Sequence, residues 1–225
     1  MSAAASPTAV QPGYDTAVFI NCPYSDAFAD YLHAIIFTVV CCGMEPRSAL
    51  SVPDAASTRI ERLARELCGC RYSIHDLSLL KEDDTTGVAH MNMPLELGMA
   101  VALHRAPRRA KDPLRHDWTA LVLKGSAYKQ ALSDANGNDL PRYGSDSDLV
   151  TQVLIWLRPR VTHVKVRAKP DTVVAQLTNL RAALSAEAKS WFNQLPWQEK
   201  VNVAREVAQA ADLLPAALPA KVAAP

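Results

Sequence analysis

The chain is predicted to form an α/β fold, with a doubly wound, mostly parallel five-stranded sheet and a C-terminal helical extension. Three observations lead there. Short apolar runs alternate with segments of helical periodicity between Thr16 and Arg158, the pattern of strands joined by right-handed helical crossovers. The clearest run, Thr16-Ala-Val-Phe-Ile-Asn21, is apolar and stops at polar residues and Pro23, as a strand covered on both faces does. The 225 residues are 49% hydrophobic and 21% charged, enough apolar material for a substantial core.

Residues 1–14, rich in Ala, Ser and Pro, read as a disordered leader; they have no basic start and no apolar centre, so they do not read as a signal peptide. After the first strand, Phe28, Tyr31, Leu32, Ile35, Ile36, Val39 and Val40 recur at helical spacing from Asp26 onward, and Gly43 closes the segment. Met44 to Ala49 is a weaker second strand. Ile60, Leu63, Ala64 and Leu67 then stripe a helix that begins at Ser57. Arg71 to Asp76 is the third strand, and the long polar loop from Leu79 to His90 is expected to be a flap over a site. A helix after this loop carries Glu96, Trp118 to Lys124 is the next strand, and Ser145 to Arg158 is the last helix of a domain spanning 15–160.

Beyond Pro159 the composition shifts, and residues 161–214 read as a helical C-terminal segment. Val161 to Val166 is a further strand or an extended linker. Helices over Asp171 to Leu184 and Ser185 to Leu214, interrupted at Pro196, form a small hairpin. Its Trp191, Phe192 and Trp197 either pack on the main domain or present an interaction surface. Residues 215–225, with Pro215, Pro219 and Pro225 among alanines, are expected to be a disordered tail.

Charge and cysteine usage exclude several classes. With 24 Lys and Arg against 23 Asp and Glu the net charge is +1, so no overall field draws in nucleic acid or an anionic membrane. The basic cluster Arg105, Arg108, Arg109, Lys111 and Arg115 reads as a solvated loop. Five cysteines, Cys22, Cys41, Cys42, Cys68 and Cys70, are an odd set within apolar or amphipathic segments. They suit reduced thiols and a cytoplasmic location better than a disulfide framework. Cys68-Gly-Cys70 is one residue short of a CxxC and has no second pair, so no metal is expected. No apolar run approaches the ~20 residues of a membrane span.

In a 2-1-3-4-5 sheet the first and third strands flank the switch point where ligands bind. The polar residues of this chain gather there: Asn21, Cys22, Tyr24, Ser25 and Asp26 after the first strand, and His75, Asp76 and Ser78 at the end of the third. In Met91-Asn92-Met93-Pro94-Leu95-Glu96, proline is tolerated at a helix start, and Asn92 or Met93 as cap puts Glu96 in the first turn. There it either stabilises its own helix by ~0.3 to 1 kcal/mol or serves a reaction. Asp76 likewise either caps a turn or faces a ligand. The first loop lacks GxGxxG, and no GxxxxGK[ST] or GxSxG occurs, which argues against a standard dinucleotide site, ordinary ATPase chemistry and a serine hydrolase.

Two carboxylates at a cleft suit a reaction through a sugar oxocarbenium ion, with N-glycosidic bonds fitting best. A cationic nicotinamide leaves without needing a proton. On this reading Glu96 and Asp76 are the catalytic candidates, and Asn21, Cys22, Tyr24, Ser25, His75, Ser78 and Asn92 are the candidates for binding the substrate. Asn21 and Asp76 would position a ribose and Tyr24 or Phe28 would stack on a base, although the helical spacing of Phe28 with Tyr31 and Leu32 also suits the core. His75 either tunes protonation or is simply solvated, and Ser25 and Asp26 also suit a helix cap.

The segment Tyr14-Asp-Thr-Ala-Val-Phe-Ile-Asn-Cys-Pro-Tyr-Ser-Asp26, followed by an amphipathic helix, resembles the first box of Toll/interleukin-1 receptor (TIR) domains. Cys70-Arg-Tyr-Ser-Ile-His-Asp-Leu-Ser78 and then Asn92-Met-Pro-Leu-Glu-Leu-Gly-Met-Ala100 resemble the matching region of nucleoside 2-deoxyribosyltransferases and bacterial TIR-like proteins. The resemblance covers Asp15 to Arg158. It implies a flavodoxin-like fold, Glu96 as the catalytic residue and Asp76 as an acid that helps hold the sugar. It implies NAD or a nucleoside as substrate rather than cofactor, with NAD cleavage or cyclisation in bacterial antiphage defence. The C-terminal helices would then couple the enzyme to a protein partner or to a second copy. The alternatives are a non-catalytic module of the same fold that senses a nucleotide or binds a protein, and a deoxyribosyltransferase-like enzyme.

Overall fold

The structure, a computed structural model, describes residues 13–51, 57–78, 92–106, 116–126 and 140–217. At its centre β1 (Ala17–Asn21) runs parallel to β2 (Glu45–Arg47) on one side and to β3 (Tyr72–Asp76) on the other. β4 (Asp117–Leu123) and β5 (Arg142–Tyr143) extend the sheet beyond β3, giving the all-parallel order β2-β1-β3-β4-β5. This is the flavodoxin-like arrangement of an α/β fold, with its switch point between β1 and β3. Every residue of β1 and β3 is buried; the apolar run of β1 suits a doubly covered sheet, whereas β3 also buries the polar Ser73, His75 and Asp76.

Helix α1 (Ala29–Cys41) buries every residue from Ala34 to Cys41. A helix apolar on all sides must be covered on all sides. Here the sheet covers one face, and α4 (Asp146–Leu157), α5 (Pro170–Ser190) and α6 (Trp197–Ala210) pack against the rest. On the opposite face of the sheet lie α2 (Arg59–Cys68) and α3 (Asn92–Arg105). The molecule is therefore layered as α2 and α3, sheet, α1 and α4, then the α5–α6 hairpin. One continuous apolar cluster runs from Val18 and Ile74 through α1 and α4 to Leu180, Trp197 and Val201.

Local chemistry sets the ends of these elements. Thr58 accepts from the Glu61 amide while Glu61 accepts from the Thr58 amide, a capping box that starts α2. Ser145 caps α4 by accepting from the Asp148 amide. Gly43, at φ 74°, leaves α1 through the left-handed region, and a Cβ there would stand 2.5 Å from Pro215 Cγ. Glycine is needed for both reasons.

Several expectations are corrected. The α5–α6 break falls at 191–196 rather than at Pro196 alone, so residues 185–190 complete the first helix of the hairpin. Phe192 and Asn193 make that turn with φ values of 50° and 63°, conformations uncommon for residues with a Cβ. Residues 216 and 217, expected to fray, form β7 (Ala216–Ala217), which pairs antiparallel with β6 (Val164–Lys165). Ile60 is exposed because only Leu63 and Leu67 of its stripe face the core. Trp197 is buried and donates its indole N–H to the Pro46 carbonyl at 3.0 Å, whereas Phe192 is 91% exposed. The flap expected over 79–90 and all of the basic cluster except Arg105 lie outside the described residues.

Candidate active site

The carboxyl ends of β1 and β3 hold the polar residues expected there, but most of them turn inward. Asn21 is buried and donates from Nδ2 to the Met93 carbonyl at 3.2 Å and to His75 Nδ1 at 3.0 Å. Because a carbonyl only accepts, the amide nitrogen must face Met93, and His75 Nδ1 must be bare. His75 then carries its proton on Nε2 and donates to Ser73 Oγ at 2.9 Å. Ser73 in turn donates to His116 Nε2 at 2.9 Å, and His116 Nδ1–H donates to the Cys70 carbonyl at 3.0 Å. Every group has one consistent role. Burial and the neighbouring His116 push the His75 pKa down to about 3, and burial lowers that of His116.

This neutral wire ties the start of α3 to β1, β3 and the start of β4. It corrects the picture of His75 as solvated and commits both observed bonds of the Asn21 amide to protein groups.

Asp76 is 0% exposed. Its Oδ1 accepts from the Ser78 amide at 2.8 Å and its Oδ2 from the Tyr143 hydroxyl at 2.7 Å. Ser78 Oγ accepts from the Leu123 amide at 2.7 Å and lies 3.3 Å from the Tyr143 hydroxyl. Tyr143 stacks edge-on against Tyr31 of α1 with ring centroids 5.2 Å apart, so Asp76 points into the α1–α4 layer. Burial outweighs these bonds and lifts its pKa to about 6. The expectation that Asp76 shares an open pocket with Glu96 is therefore corrected: it is the buried knot that fastens β3 to β4 and β5.

Glu96 stands on α3, on the other face of the sheet. The helix begins at Asn92, so Glu96 opens its second turn rather than lying in the first, which weakens any stabilisation by the helix dipole. It is 5% exposed and has no hydrogen-bond partner among the described residues. Burial raises its pKa to about 7, and the Arg59 guanidinium at the start of α2 opposes that rise. Burial pushes up the Cys22 thiol, and Asp76 and Glu96 both add to the rise. The two acids thus bear on a common point at the sheet edge while occupying opposite faces.

Tyr24 brings its hydroxyl to the Ile20 carbonyl at 3.3 Å and to the buried Ser48 side chain. Burial of that end, with Cys22 and Glu96 nearby, raises its pKa. Ser25 precedes a single 3-10 turn over Asp26–Phe28 but makes no side-chain cap bond, and Phe28 is core. Asn92 opens α3. Sequence reasoning missed Ser48 and Arg59. Both follow β2, which lies on the far side of β1 from the switch point, so the switch-point rule does not reach them. Tyr143 had no signal either, since β5 is only two residues long.

The site can therefore offer one closed-in carboxyl poised near neutrality, one guanidinium with no ion pair among the described residues, and the Tyr24 and Ser48 hydroxyls. Among the described residues no group of three or more His, Cys, Asp or Glu is placed to hold a metal, and no helix is long and apolar enough to cross a membrane. No family model matches the chain, and neither a curated protein nor a solved structure does.

Proposed function

We propose that Glu96 cleaves or transfers an N-glycosidic bond of a nucleotide, with NAD the first candidate. The reading is carried by one observation: a nearly buried carboxyl without a hydrogen-bond partner among the described residues, its pKa raised to about 7, beside the switch point of the sheet. An environment that penalises ionisation favours a partner that brings positive charge, which a ribosyl oxocarbenium ion does. The C1′–N bond breaks, nicotinamide leaves with the bonding electrons as a neutral base, and Glu96 stabilises or traps C1′ until water adds and loses a proton. No second acid is required, which accommodates an Asp76 committed to packing. Arg59 is suited to a phosphate of the same substrate.

The test is to incubate the protein, dilute and concentrated, with NAD and separately with deoxynucleosides, and to follow nicotinamide or free base by chromatography. Release should disappear in Glu96→Gln and, in the wild type, should rise with pH through about 7 as the carboxyl ionises. Release that survives in Glu96→Gln, or no release under any of these conditions, overturns the proposal.

The sealed Asp76 favours a second reading, a non-catalytic module that binds a nucleotide or protein. Nucleotide binding without turnover, unchanged in Glu96→Gln, would support it.

A further inference from the structure

A cavity of about 570 Å³, whose lining does not include Glu96, lies between the β1–α1 connection and the α5–α6 hairpin. Its apolar wall includes Leu184, Leu195 and Trp197 from the hairpin, and the ring of Tyr24, 39% exposed, lines it from the loop. Two cations border it, and they differ. Arg181 is already neutralised, with Nε 3.1 Å from an Asp30 oxygen and another nitrogen 2.8 Å from Asp146. Lys200 makes no ion pair among the described residues, where its ammonium donates to the Leu195 carbonyl. Beside it, His33 leaves Nδ1 buried with no hydrogen-bond partner among the described residues.

A half-buried ammonium beside an apolar wall and without an ion pair among the described residues is poorly compensated, and the unpaired buried imidazole nitrogen adds to the imbalance. A ligand with one negative group and an apolar body would correct it. More than one negative charge would not suit, because Asp26 and Asp30 also line the cavity. We infer that this cleft is a binding site for a small aromatic monoanion, whose acid group meets Lys200 and whose ring packs against Leu184, Trp197 and Tyr24. Glu96 is not in its lining, and only Tyr24 is shared, its hydroxyl end on the Glu96 side and its ring on this one; the assignment does not depend on the reaction proposed there.

The test uses two fluorescent probes that share a body and differ in charge: 1-anilinonaphthalene-8-sulfonate and the neutral N-phenyl-1-naphthylamine. The full-length protein should bind the sulfonate saturably at one site, roughly tenfold or more tighter than the neutral probe. Lys200→Gln should erase that preference. Ser185→Trp, which fills the cleft from an exposed position on α5, should block both probes while leaving the circular dichroism spectrum unchanged. ADP should fail to displace the sulfonate. Equal affinity for the two probes, undiminished sulfonate binding in Lys200→Gln or in Ser185→Trp, or displacement by ADP would overturn the assignment.

Discussion

Glu96→Gln should make the protein more stable, and only on the alkaline side. Burial carries the Glu96 pKa from 4.5 to about 7. Between those values the folded chain holds a proton that the unfolded chain has released, so stability falls as pH rises through the window. At 1.36 kcal/mol per pH unit the full rise is worth ~3 kcal/mol above pH 7 and nothing below about pH 4. Glutamine keeps the shape of the side chain and never ionises.

Urea unfolding of both proteins at about pH 4 and about pH 8 should give similar stabilities in acid and a gain of ~2 to 3 kcal/mol for the variant in base. Asp76, raised from 3.8 to about 6, also withdraws stability as pH rises. It is present in both proteins, so their difference isolates residue 96. Parallel pH profiles, or a variant less stable near pH 8, would refute the claim that Glu96 is ionised against a burial penalty.

Long-range nitrogen–proton NMR should find the His75 proton on Nε2 and the His116 proton on Nδ1, with His75 not titrating above about pH 4; a His75 midpoint near 6.5 would break the wire. Asp76→Ala strands the Ser78 amide in the core and leaves the Tyr143 hydroxyl only its 3.3 Å approach to Ser78 Oγ, and urea melts should show a loss of ~2 to 4 kcal/mol. Tyr143→Phe should move the Asp76 carboxyl above about 6 in a carbon-detected titration, since the tyrosine bond now holds it down; no upward movement would contradict the bond. Trp197→Phe keeps the apolar packing but deletes the bond to Pro46, at a cost of about 1 kcal/mol by the same melts; an unchanged midpoint would deny that bond any role in stability.

What could be read from the sequence follows from how local each feature is. The apolar run of β1 and the dense apolar spacing of α1 announce themselves within a dozen residues, and the alternation of strands and helices gives the sheet order through connection rules. The spacing of α1 predicts an amphipathic helix; the burial of every residue from Ala34 to Cys41 depends on the α5–α6 hairpin, which covers what would otherwise be its outer face. The inward turn of Asp76 was not legible either. It depends on Tyr143, 67 residues further on in a strand too short to show periodicity. His75 likewise becomes a buried donor only because β3 and the start of β4 bring Ser73 and His116 beside it. Residue type and strand position located the edge, but long-range partners decided which side chains remain open to a ligand.

The short ribbon of β6 and β7 closes the α5–α6 hairpin at both of its feet, and Pro215 seats that closure against Gly43 at the end of α1. A helical pair held this way cannot swing outward on a single hinge. Releasing it means parting the ribbon, withdrawing the proline and uncovering the apolar flank of α1 together. Amide exchange in α6 should then share one opening free energy with the buried half of α1, as a single cooperative unit does. The C-terminal helices accordingly behave as a wall of the domain and not as a detachable arm.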